Sequence, residues 1–79
     1  MLSDLELLNK AEENLKWFIA NSSLIRVKYA GKQIAIKDKS IVAIGSNGKE
    51  LLDNLKSRNI DDSEVIIERI PPKGEIRIL

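Results

Sequence analysis

Apolar positions recur at helical spacing near the start of the chain and at alternating spacing further on. Over residues 3–21, Leu5, Leu8, Ala11, Leu15, Phe18 and Ile19 fall on one stripe of 3.6-residue period. That pattern predicts an amphipathic helix with the stripe turned toward the core. Ser3-Asp4-Leu5-Glu6 fits a capping box, and Leu2 and Leu7 hold the staple positions of the same motif. Asn21-Ser22-Ser23 ends the helix.

Residues 24–29 then alternate, with Ile25, Val27 and Tyr29 on one side and Arg26 and Lys28 on the other, which predicts a strand. Ala30-Gly31-Lys32 reads as a turn in which Gly31 is free to take positive φ. Residues 33–37 predict a second strand, with Ile34 and Ile36 inward. Asp38-Lys39-Ser40 is a turn, and residues 41–45 a third strand with Val42 and Ile44 inward. Connections this short make an antiparallel meander. Gly45-Ser46-Asn47-Gly48 breaks it. Asn47 to Glu50 resembles a loose capping box for a second helix, which buries Leu51, Leu52 and Leu55 and stops at Asn59 in the left-handed region. Residues 64–70 predict a fourth strand, with Val65 and Ile67 sharing a face, halted by Pro71-Pro72. Ile76 and Ile78 alternate with Glu75 and Arg77 in a short fifth strand over 75–79.

The expected fold is α+β: one small domain over residues 1–79, a two-layer sandwich of order α-β-β-β-α-β, with both helices on one face of a mostly antiparallel sheet. A crossover returns the fourth strand parallel to the first or third. Opposite charges, Arg26 and Lys28 against Glu64 and Glu68, favour the first and a sheet order 4-1-2-3.

The run Tyr29-Ala30-Gly31-Lys32-Gln33-Ile34-Ala35-Ile36, then Ile41-Val42-Ala43-Ile44-Gly45, Leu51-Leu52, Leu55 and Val65-Ile66-Ile67-Glu68-Arg69-Ile70-Pro71, resembles a family of small archaeal and bacterial proteins described as a domain of unknown function. Its members carry a Tyr-x-Gly-Lys hairpin, a Val-Val-Ala-x-Gly-like strand, a Leu-rich helix and a final strand ending in Pro. The resemblance covers roughly residues 15–72. Where members often have an aromatic after the Gly-Lys, this chain has Gln33. The resemblance implies the element order and brings no activity, cofactor or catalytic residue.

Composition narrows the chemistry. The 79 residues include no Cys and no His. Disulfides, thiolate nucleophiles, imidazole bases and Cys/His zinc sites are therefore excluded. Twelve Ile and ten Leu, with one each of Phe, Trp, Tyr and Met, make a small aliphatic core. Cores of this size often rely on oligomerisation. No apolar run is long enough to span a membrane, and the acidic start is unlike an export signal; a cytoplasmic location is expected.

Five features invite a functional reading. Gly45-Ser46-Asn47-Gly48-Lys49 joins a strand to a helix, but its glycines are too close for a phosphate loop and Glu50 stands where that loop needs a hydroxyl. It reads as a turn with a helix cap. Arg26, Lys28, Lys32, Lys37 and Lys39 against Asp38 give the 26–39 segment a charge of +4, a candidate nucleic-acid contact. The sheet offers no aromatic platform except Tyr29, and the overall charge of +1 gives little long-range attraction. Asp61, Asp62 and Glu64 lack the spacing of a calcium loop. Trp17 falls off the apolar stripe, which marks it for contact beyond the domain. Ile76 and Ile78 could add a strand to a second copy. The expected function is thus a non-enzymatic protein–protein interaction module without cofactor, acting as a homodimer. Nucleic-acid binding through the basic segment is the alternative.

Overall fold

The computed structural model of the chain describes residues 3–72. In order they form α1 (Asp4–Ala20), α2 (Ser22–Lys28), β1 (Gln33–Lys37), β2 (Ser40–Gly45), α3 (Gly48–Ser57), a 3-10 turn (Asp62–Glu64) and β3 (Ile66–Arg69). The class is α+β, as the pattern predicts. The order is α-α-β-β-α-β, not α-β-β-β-α-β. The strand expected over 75–79 lies outside the described residues.

Both predicted helix starts carry their caps. The Ser3 hydroxyl oxygen accepts the Glu6 N–H at 3.2 Å, and the Glu6 carboxylate accepts the Ser3 N–H at 3.5 Å. At α3 the Asn47 side chain accepts the Glu50 N–H at 2.8 Å, and Glu50 accepts the Ser46 N–H at 3.2 Å. Asn59 takes φ 56° just past α3, the left-handed stop that its side chain tolerates.

The segment expected as a first strand is the helix α2. Only Asn21 separates it from α1. Asn21 returns its backbone N–H to the Trp17 and Phe18 carbonyls and its side-chain N–H to the Trp17 carbonyl at 2.8 Å. Its own carbonyl accepts the Ile25 N–H at 3.0 Å, so the chain re-enters a helix at once. The expected meander would pair this segment with β1, and both edges of β1 are taken by β2 and β3.

The sheet order is β2-β1-β3, with β1 antiparallel to both neighbours. This replaces the expected order 4-1-2-3: the last strand pairs with residues 33–37, not with 24–29. Being antiparallel to the same strand, β2 and β3 run in the same direction. The crossover through α3 therefore does return a parallel strand, but β1 lies between the two. Asp38 and Lys39 form the two-residue hairpin turn at φ 50° and 58°, the doubly positive pattern that matches strand twist.

The helices divide between the two faces of the sheet instead of sharing one. Ile34 and Ile36 of β1 meet Ile25 of α2 and Ile70, with Trp17 and Phe18 of α1 packed on them. Ala35 and Ala43 point the other way, onto Leu51 and Leu55 of α3. The central strand is thus buried on both sides, and its alternation joins two apolar sets, one large and one small. Small residues on one face let α3 lie close. A bulge between Ala35 and Ile36 pairs Ile36 with Ile41. Ile41, not Val42, then joins Ile44 on the α1 side, while Val42 packs toward α3.

Candidate interaction surface

α1 is held by an arc that is partly polar. Asn14 is its one buried residue, at 3% exposure. Its side-chain carbonyl accepts the Lys39 N–H at 2.8 Å, so it grips the tip of the β1–β2 hairpin. Lys10 pairs with Asp38 of the same turn at 3.5 Å. Trp17 and Phe18 rest half-buried on the isoleucine cluster. Off the stripe, Trp17 reads as a contact beyond the domain's own core; the structure packs it against that core. The aromatic rings supply more contact volume per residue than leucine, and Asn14 satisfies a turn amide that water would otherwise have to reach.

The consequence is an apolar stripe facing outward. Leu5, Leu8, Leu15 and Ile19, all predicted to be core, are between 42% and 67% exposed. On α2, Leu24 and Val27 are each 68% exposed. Glu12 lies within the stripe and pairs with Lys16 one turn on at 3.3 Å. Sequence periodicity found these leucines but assigned them inward. The 3-4-3-4 spacing of Leu5, Leu8, Glu12, Leu15 and Ile19, with a charge at its centre, was the available signal that the stripe does not face the sheet.

The basic residues are not gathered on one strand face. Arg26 and Lys28 end α2, where cations suit the helix dipole, and Lys28 Nζ lies 5.7 Å from the Tyr29 ring centre. Lys32 precedes β1. Lys37 closes it and pairs with Glu64 at 3.7 Å. Lys39 sits in the hairpin turn. Ile76 and Ile78 lie outside the described residues.

Two clefts adjoin these surfaces. One of about 270 Å³ is lined by Glu6, Asn9, Lys10, Glu13, Asn14 and Asp38. A second, of about 210 Å³, follows the outer edge of β2 from Ile41 to Ile44 between Tyr29 on one side and Asn54 and Arg58 on the other. Asn54 donates its side-chain N–H to the Ile44 carbonyl at 2.7 Å, fixing that wall. In the loop before β3, the Asp61 carboxylate accepts the Ser63 N–H and hydroxyl, each at 2.9 Å, and the backbone bond above all holds its pKa below the ordinary carboxylate value. This is a cap on the 3-10 turn. Among the described residues no three acidic side chains gather where a metal could be held, and no helix is long and apolar enough to cross a membrane.

Neither the curated proteins nor the solved structures contain a match to this chain. A family model does match, over residues 26–73, from the last turn of α2 through β3. That is more than half of the 79 residues and holds the whole sheet with α3. α1 and its outward stripe precede the matched region. On this match the chain belongs to DUF5678, a family of unknown function.

Proposed function

We propose that this chain is a non-enzymatic interaction module that works as a homodimer through the outer face of α1. The observation that carries this reading is the row Leu5, Leu8, Leu15 and Ile19 on a helix whose other side is already docked. Fully burying an aliphatic side chain contributes about 1.5–3 kcal/mol, and these four still expose 42–67% of their surface, so covering them together on one helix face favours association. The sequence, without His or Cys, offers few groups for acid–base or nucleophilic chemistry at neutral pH. The role expected of Trp17 passes to these leucines. Sedimentation across a wide concentration range tests the reading. Wild type should dimerise, and Leu8→Glu with Leu15→Glu should give a folded monomer. A wild type that stays monomeric throughout removes it.

The cleft along β2 supports a second reading, strand addition at that edge. The alternating Ile76 and Ile78 are the segment of this chain suited to supply such a strand to a second copy. A chain ending at Pro72 should then dimerise less well than the full chain. Equal association of the two would discard this route and leave the α1 reading standing.

A further inference from the structure

We infer that two copies pair through α1 in antiparallel orientation, with Glu12 of each copy bonded to Lys16 of the other. This rests on the homodimer reading above and specifies its geometry.

The spacing of Leu5, Leu8, Glu12, Leu15 and Ile19 is a heptad seam, with Leu5, Glu12 and Ile19 at one core position and Leu8 and Leu15 at the other. All lie on the exposed side of α1. Lys16 flanks the seam beside Glu12, which it already meets at 3.3 Å within its own helix. Both side chains are well exposed and free to reach further. Ala11 on the other flank is small and lets a second helix approach.

Charge decides the orientation. In a parallel pair each residue shares a layer with its own copy, so Glu12 would face the second Glu12 in the middle of an apolar seam. Like charges so placed oppose association. In the antiparallel pair the two kinds of core position alternate across the seam. Leu8 then shares a layer with the second copy's Ile19, and Glu12 with the second copy's Leu15. Lys16 follows Leu15 by one residue, so it arrives on the flank where the Glu12 carboxylate emerges. The two-fold axis repeats the contact. Each Glu12 is thereby set between its own Lys16 and that of the second copy, and no carboxylate faces another. A single polar core position that selects orientation is a known use of such residues in helix pairs.

The absence of cysteine makes the test clean. In this register Leu8 and the second copy's Leu8 lie eleven residues apart along the seam, about 16 Å at 1.5 Å per residue. That is far beyond the Cα separation of about 7 Å that a disulfide can span. L8C together with I19C should therefore oxidise to a covalent dimer, whereas L8C alone should not. Efficient cross-linking of L8C alone marks a parallel pair and overturns the inference, as does failure of L8C with I19C in a chain that sediments as a dimer. A wild type that is monomeric overturns the homodimer reading itself. As a second measurement, Glu12→Lys and Lys16→Glu should each weaken dimerisation about tenfold or more, the loss of one partner of an interfacial charge pair. The exchanged double variant should recover most of that loss; no recovery would contradict the reciprocal contact.

Discussion

A hydrogen in place of a side chain at Gly45 lets α3 begin where it does. A Cβ there would lie 2.5 Å from the Leu51 backbone nitrogen and 2.8 Å from its Cα. Those atoms are backbone, and Leu51 is fully buried, so neither can yield without opening the α3 side of the core. Gly45→Ala should cost about 1–3 kcal/mol, the usual range for overpacking, read as a lower urea midpoint. Asn14 is the matching polar case. Asn14→Ala leaves the Lys39 N–H without its acceptor and should cost about 1–3 kcal/mol. Faster hydrogen exchange at the Lys39 amide would locate the loss. Asp61 sets a pH dependence. Its carboxyl pKa is lowered by the Ser63 bonds, so its contribution is complete at neutral pH. That contribution fades as pH falls below the ordinary carboxylate range and through the lowered value. Asp61→Asn should remove that part of the acid dependence, measured by comparing urea midpoints at neutral and acidic pH.

Among the elements, the caps and turns were legible because each depends on residues within a few positions. Ser3 with Glu6, Asn47 with Glu50, Gly31 at φ 79° and Asn59 all stand as the sequence implies. α2 was not, for a definite reason. Ile25 and Tyr29 share a side at both the strand period and the helix period, so the pair cannot distinguish them. Val27 can: a strand turns it inward with Ile25, and the helix turns it out. It is 68% exposed, while Ile25 is 3% exposed. Ile25→Ala should therefore cost about 2–5 kcal/mol, as for other buried isoleucines. Val27→Ala should change stability little, and comparable losses at both positions would argue for the strand. Likewise, Ala35 and Ala43 carry too little apolar signal to announce a second buried face, so α3 was assigned to the wrong side of the sheet.

At the scale of the molecule, pairing through the outward stripe, as proposed, would tie stability to concentration. The isoleucine face of the sheet needs Trp17 and Phe18 above it, so α1 belongs to the folded unit. Yet α1 is held mainly along one arc, by Asn14, Lys10 and its two aromatics, and its longest apolar row stays largely exposed in the isolated subunit. A helix so attached opens locally at lower cost than β1, which is covered on both faces. Pairing binds the folded chain and not the unfolded one, so it adds stability by mass action. The transition temperature of wild type should rise by a few degrees for each tenfold increase in concentration. The Leu8→Glu, Leu15→Glu variant should melt at one temperature throughout. Hydrogen exchange separates the layers. Amides of α1 should be less protected than those of β1 at low concentration, and both should gain protection with concentration in wild type, because either opening separates the pair. If α1 were as well protected as β1 in the Leu8→Glu, Leu15→Glu variant, α1 would be opening only with the whole fold, and the seam would be stabilising one cooperative unit instead of fastening its least secured helix.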